Sequence, residues 1–282
     1  MAREPAFFLS PLMAVALLCA SCTFSFGPKI TVKEERVLTI PVADVTDIQV
    51  TTSNGSVSSA PGTESAEEIV ITATVEGGGA TQESAEACLE AMEVTVLNDG
   101  GTLKIGWRFA VTERSDWQGS AAFEVAQPIA LPFAATTSNG GVTVQNLTGA
   151  CELESSNGRI TVEGCSGALK GVTSNGRIEV NGSSGQLDFE SSNGGITLDS
   201  TCSGPLSGRL ETSNGTITVN LSEGTSADIH AETGNGSLNI SGDYHQVNTT
   251  EDTLTARHGS EAVTGRLTLE TSNGSITIGD LD

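Results

Sequence analysis

From Phe133 onward the apolar residues of this chain fall in pairs two positions apart, with polar residues between them, and each pair of pairs brackets a Ser-Asn-Gly triplet. Three and five places after the asparagine stand Val142 and Val144, Ile160 and Val162, Ile178 and Val180, Ile196 and Leu198, Ile217 and Val219, Leu238 and Ile240, and Ile276 and Ile278. Six and four places before it stand Phe133 and Ala135, Cys151 and Leu153, Leu169 and Gly171, Leu187 and Phe189, Gly208 and Leu210, Ile229 and Ala231, and Leu267 and Leu269. A spacing of two is the period of a strand with one buried face. Each repeat therefore predicts two short strands joined at the triplet.

The marker asparagines are Asn139, Asn157, Asn175, Asn193, Asn214, Asn235 (in a Gly-Asn-Gly variant) and Asn273, with steps of 18, 18, 18, 21, 21 and 38. The step of 38 reads as two windings, one carrying a degenerate marker near His258. Asn-Gly is read as a turn because both residues tolerate positive φ. A single winding has too few inward side chains to offset the ordering of its backbone, so windings must stack and share hydrogen bonds. The fold class expected is all-β: a β-solenoid, a parallel β-helix-like stack of 18–21 residue coils over residues 133–282. About eight coils spaced by roughly 4.8 Å would give a rod of about 35 to 40 Å.

Stacking puts equivalent residues over one another. The asparagines are expected to form an amide ladder of the cross-β kind. Five places before each asparagine, Glu152, Lys170, Asp188, Arg209 and His230 should form an exposed column of alternating sign. Upstream, residues 29–132 are less regular. Val37–Pro41, Ile48–Thr52 and Ile69–Val75 alternate like strands, and Asn54 suggests one early winding. Thr81 to Met92 places Ala85, Cys88, Leu89 and Met92 on one helical face, and a hairpin is expected from Val94 to Phe109, turning at Asp99 to Gly101. This α+β segment is read as a cap on the open first coil, since bare strand edges invite aggregation.

Aromatic residues make up only 4% of the chain and glycine contributes 33 residues, which argues against one thick globular core. The formal charge is −22, and removing residues 1–21 takes away Arg3 and Glu4 together, leaving it unchanged. A chain this acidic lacks the basic patch needed to neutralise phosphates, so nucleic acid is excluded as a partner. Beyond Cys22 the cysteines are Cys88, Cys151, Cys165 and Cys202, which lack the spacing of a zinc site. They read as small buried or turn residues, with room for one disulfide whose pairing the spacing leaves open.

The first 21 residues read as an export signal: Arg3, an apolar run from Ala6 to Leu18 broken by Ser10 and Pro11, then small residues before a cysteine. The stretch Leu18-Cys19-Ala20-Ser21-Cys22 resembles the bacterial lipobox, which implies cleavage before Cys22 and a diacylglycerol on that residue. Cys19 stands where the lipobox usually has leucine. Residues 22–28 would then be a tether to the membrane. Plain secretion and an uncleaved anchor are the alternatives.

Residues Thr173 to Val180 and Thr212 to Val219 carry TSNGxIxV, and Thr271 to Ile278 matches it closely, with isoleucine in the last place. On these motifs the chain resembles a widespread bacterial family of adhesin-like domains without assigned function, and the layout of strands, helix and hairpin upstream is similar too. The resemblance implies a solenoid on a lipoprotein or membrane-linked protein, and it brings no catalytic residues with it.

Candidate chemistry is sparse. Arg159 and Arg177, in adjacent windings with Glu179 alongside, form a possible ligand face for an anionic saccharide. Glu190, Glu211 and Glu232 recur three places before the marker and are a weak candidate for a calcium-responsive acidic column. The three histidines stand near no nucleophile motif such as GxSxG. Trp107 and Trp117 could stack on sugars, although the alternation of the hairpin places Trp107 in the core. No cofactor is expected. The reading is a non-enzymatic, lipid-anchored envelope protein that offers a stiff polar surface to an envelope protein or polysaccharide. The alternatives are a polysaccharide-active β-helix enzyme and an accessory to envelope-stress signalling.

Overall fold

The computed structural model describes residues 30–62, 67–113, 115–259 and 265–281. The segments read as an export signal and a tether, with Cys22 between them, lie outside the described residues. The chain opens with β1 (Ile30–Pro41), β2 (Asp47–Thr52), β3 (Val57–Pro61) and β4 (Glu68–Gly79), followed by helix α1 (Gln82–Ala91) and the strands β5 (Met92–Asp99), β6 (Thr102–Phe109) and β7 (Gln118–Gln127). The repeats follow as β8 (Phe133–Thr137), β9 (Val142–Gln145), β10 (Cys151–Ser155), β11 (Ile160–Glu163), β12 (Leu169–Thr173), β13 (Ile178–Asn181), β14 (Gln186–Ser191) and β15 (Ile196–Ser200). After a two-residue bridge, β16 (Gly204–Pro205), come β17 (Ser207–Thr212), β18 (Ile217–Leu221), β19 (Thr225–Thr233) and β20 (Leu238–Ile240). The last strands are β21 (Tyr244–Thr249), β22 (Thr253–His258), β23 (Gly265–Thr271) and β24 (Ile276–Asp280).

These strands form two facing sheets. One has 11 strands in the order β1-β4-β7-β3-β9-β11-β13-β15-β18-β24-β20. The other runs β21-β22-β19-β23-β17-β14-β12-β10-β8-β2-β6-β5. Consecutive windings pair in parallel and in strict register: Val142, Ile160, Ile178, Ile196, Ile217 and Ile276 stack in one column, and Phe133, Cys151, Leu169 and Leu187 in another. All ten are buried and belong to one continuous core. Slipping any strand by one residue would turn its apolar set to solvent, so the alternation itself fixes the register.

Two features of the stack depart from expectation. The step of 38 from Asn235 to Asn273 does not hold a further winding. It holds the antiparallel hairpin β21–β22, with β22 laid against β19 in reverse, so the supposed marker near His258 is no turn. The winding β23–β24 then inserts between β17–β18 and β19–β20, pairing in parallel with both. The winding made last is therefore internal, and β20 is an edge strand, which is why Leu238 and Ile240 stay half-exposed. Nothing in a period-two pattern distinguishes an end winding from an internal one.

The other end of the stack has the same character. β6 and β7 make a base winding beneath β2–β3, although they follow β3 in sequence. Their neighbours are antiparallel: β5 closes one sheet, and β4 with β1 closes the other. Helix α1 begins at Thr81, whose hydroxyl accepts from the Ser84 amide at 3.1 Å and satisfies one of the free N–H groups of the first turn. It packs on β4 with Ala85, Cys88 and Ala91 buried, while Leu89 is only partly so.

Candidate functional site

The triplet turns are where the repeat is most strictly built. Asn139 Nδ2 donates to Asn54 Oδ1 at 2.7 Å, Asn157 to Asn139 at 2.9 Å, Asn175 to Asn157 at 2.8 Å, Asn193 to Asn175 at 2.9 Å and Asn214 to Asn193 at 2.9 Å. Asn273 donates to Asn214 at 3.0 Å and Asn235 to Asn273 at 3.1 Å, so the ladder crosses the inserted winding without a break. All donors point the same way, toward the base of the stack. A chain of amides aligned like this polarises its members and strengthens each bond.

Behind this exposed ladder runs a second, buried column that the sequence reading did not see. The residue two before each asparagine is Thr or Ser, and it points inward: Thr137, Ser155, Thr173, Ser191, Thr212, Thr271 and Thr233 are all buried. Each hydroxyl donates to the glycine carbonyl of the neighbouring winding, as Thr173 does to Gly158 O at 3.2 Å and Ser191 to Gly176 O at 3.1 Å. In all but Thr233 it also accepts the amide N–H of the glycine three residues on, Gly176 N to Thr173 Oγ1 at 3.1 Å, for example. Buried turn amides and carbonyls need partners, and this hydroxyl supplies both. The constant Thr or Ser was the signal.

The role expected for the glycine needs correcting. Neither the marker asparagines nor the glycines after them adopt positive φ; the positive-φ residues lie elsewhere, at Asn146 and Gly182 among others. Glycine is required because the turns stack so closely: a Cβ on Gly158 would run into the Gly140 carbonyl, and one on Gly176 into that of Gly158.

Of the proposed ligand face, Arg159 and Arg177 share a single partner, Glu179, at 3.5 Å and 3.9 Å, with both guanidiniums 60% exposed. Elsewhere on the repeats the ion pairs balance better: Lys170 holds Glu152 at 2.9 Å, and Arg209 holds Glu270 at 2.8 Å and also Glu211. The sign column runs Glu152, Lys170, Asp188, Arg209 as expected, but Thr268 separates Arg209 from His230. The acidic column is altered by the same insertion. Glu270 stands between Glu211 and Glu232, so the order is Glu190, Glu211, Glu270, Glu232, clamped from the side by Arg209. Among the described residues no group of three His, Cys, Asp or Glu side chains is arranged to hold a metal ion.

Cys88, Cys151, Cys165 and Cys202 are free thiols, so the disulfide allowed for is not present. Cys151 and Cys165 interact within the core. Contact with Cys151, and then the backbone around it, pulls the Cys165 thiol down against the opposing effect of burial, while the same contact and burial push Cys151 up. His258 is buried, with Nδ1 at 2.8 Å from Thr225 O, Nε2 at 3.6 Å from Asp280 and its ring 4.9 Å from that of Tyr244. Trp107 and Trp117 meet at the base winding with Phe109 between them, at ring separations of 5.4 and 5.7 Å.

The architecture and motif are those of a known group: the profile of the Toastrack DUF4097 family matches residues 19–279. The chain belongs to that family. Solved structures similar to this Toastrack chain include an adhesin candidate from Parabacteroides distasonis ATCC 8503, with 14% identity, 86% of this chain and 96% of that one covered, and a TM-score of 0.45. An adhesin candidate from Bacteroides fragilis NCTC 9343 has 14% identity, the same coverages of 86% and 96%, and a TM-score of 0.44. A candidate cell adhesion protein from Clostridium sporogenes ATCC 15579 has 12% identity, covers 88% of this chain and 100% of its own, and has a TM-score of 0.37. No functionally curated protein matches the chain.

Proposed function

We propose that this Toastrack protein is an exported, non-catalytic binding surface of the bacterial cell envelope, held to a membrane by lipid on Cys22, whose partner is an envelope protein or polysaccharide. One observation supports a ligand face: Arg159 and Arg177 rely on one carboxylate, Glu179, which leaves a local excess of positive charge on a chain of charge −22. Planar guanidiniums exposed side by side suit carboxylates on a sugar or an acidic peptide. The stack holds them at equivalent turn positions immediately before β11 and β13, whose strands pair in register, and such preorganised faces bind without the cost of ordering loops. The adhesion-related names of the proteins with similar structures agree with this reading, as does the lipobox-like stretch before Cys22.

Affinity capture of the intact chain from its own envelope is the test. Wild type should retain a reproducible partner, and replacing Arg159 and Arg177 together by Ala should release it while the fold stays intact. Turnover of a polysaccharide that the same pair abolishes would instead establish the enzyme reading. Labelling with a radioactive fatty acid should mark the wild type and not Cys22→Ser.

A further inference from the structure

At the base of the stack the ladder of amides ends over an open groove of about 810 Å³. Below Asn54 the next winding, β6–β7, carries no asparagine, because its two strands are joined by the longer segment 110–117 in place of a triplet turn. Asn54 Oδ1 accepts from Asn139, but among the described residues nothing accepts from Asn54 Nδ2. The terminal donor of seven aligned hydrogen bonds thus faces the groove that Asn54 lines.

The groove wall opposite is aromatic. Trp107, Phe109 and Trp117 all line it, and these include both tryptophans of a chain that is 4% aromatic. Trp107 and Phe109 remain only partly buried. They are held in place: Trp107 Nε1 donates to Thr52 Oγ1 at 3.2 Å, the last hydroxyl of the buried column, and Trp107 and Phe109 stand edge to face at 86°. Gly119 beneath them is a further accommodation, since any Cβ there would lie 2.8 Å from the Trp107 ring and 2.9 Å from that of Phe109. Thr31, Ser53, Glu76 and Glu113 add polar atoms to the rim.

A half-exposed aromatic wall, converging polar groups and a volume within the 300 to 1,000 Å³ range typical of ligand sites make a binding groove. The chemistry selects its occupant. Arg108 also lines the groove but is paired with Glu93 at 2.9 Å, so the rim carboxylates and a net charge of −22 disfavour a polyanion, and the polar rim disfavours a lipid tail. A pyranose offers an apolar face of C–H groups to the aromatic rings and hydroxyl oxygens as acceptors to Asn54. We propose that this groove binds a neutral oligosaccharide, stacked on Trp107 and Phe109 and hydrogen-bonded by Asn54 Nδ2. The assignment rests on the reading of the chain as a binder, and it places a saccharide site away from the Arg159–Arg177 face.

Because both tryptophans line the groove, their emission reports occupancy without a label. The full folded chain is titrated with soluble tetraoses of glucose, N-acetylglucosamine, mannose and galactose at millimolar concentration. At least one should shift the emission saturably. Asn54→Ala should weaken that binding about five- to tenfold, the loss expected for one hydrogen bond, and Arg159→Ala with Arg177→Ala should leave it unchanged. Silence with all four sugars, or binding that Asn54→Ala leaves intact, overturns the proposal. Co-sedimentation with the insoluble envelope polysaccharide separates the two readings. If the arginine pair is needed to sediment while every tetraose is silent, the surface reading stands and the groove assignment falls.

Discussion

The buried hydroxyl column makes a prediction that can be sized from the structure. Thr173 is 1% exposed; its hydroxyl donates to Gly158 O at 3.2 Å and accepts from Gly176 N at 3.1 Å. Thr173→Val keeps the shape and removes both bonds, leaving a partly buried carbonyl and a buried amide short of a partner. Each such orphan costs about 1 to 3 kcal/mol, so a loss of about 2 to 4 kcal/mol is expected, allowing for partial relaxation. Thr173→Ser keeps both bonds and gives up one methyl, about 1 kcal/mol. Serine already stands at the equivalent positions 155 and 191. The assay is urea unfolding followed by circular dichroism, with the midpoint falling and the slope unchanged if only stability is affected. The ranking wild type, then Ser, then Val carries the test. If Val equals or exceeds Ser, the hydroxyl column does not hold the turns and the constant Thr or Ser needs another cause.

Three further outcomes follow from other parts of the molecule. Gly176→Ala should cost about 3 kcal/mol or more, because its Cβ meets the backbone of the neighbouring winding, whereas Gly141→Ala should be nearly neutral where Arg159 and Arg177 occupy the same turn position; thermal melts of the two variants compare them directly. Arg209→Gln should destabilise by about 1 kcal/mol at low salt by unclamping Glu211 from Glu270, and the difference from wild type should shrink in 1 M NaCl, where charges are screened within about 3 Å. Tyr244 is the one tyrosine of the chain, and burial, then the charge of Asp280, push its phenol up, so phenolate absorbance should appear at higher pH in the native protein than in urea. Since the unfolded chain gives up that proton first, near pH 10, stability should hold below that pH and fall above it; coincident titrations in the two states would refute this.

The strands, their inward residues and the amide ladder were legible from Asn139 to Asn214 because a parallel stack repeats its pattern at a fixed period. What was hidden is neighbourhood. The interval from Asn235 to Asn273 fits two windings by length, and only hydrogen bonding reveals a reversed hairpin there and Glu270 lodged between Glu211 and Glu232. At the base, Gln118–Gln127 has no marker, so its pairing beneath Val57–Pro61 left no trace in the spacing. The site suffered for the same reason. Asn54 and Trp107 are 53 residues apart and meet only because β6 returns beneath β2.

The interleaving of β23 between β17 and β19 has a consequence for a nascent polypeptide. Residues 225–233 leave the ribosome, and any secretion channel, before residues 265–271, and their inward Ile229 and Ala231 repeat the pattern that Leu267 and Leu269 offer to β17. A chain zipping up in the order it emerges would seat the earlier strand in the later one's berth. Such a molecule looks nearly finished, yet it must unseat a paired strand before it can admit its rightful neighbour, so vectorial emergence hinders maturation here and delayed folding favours it.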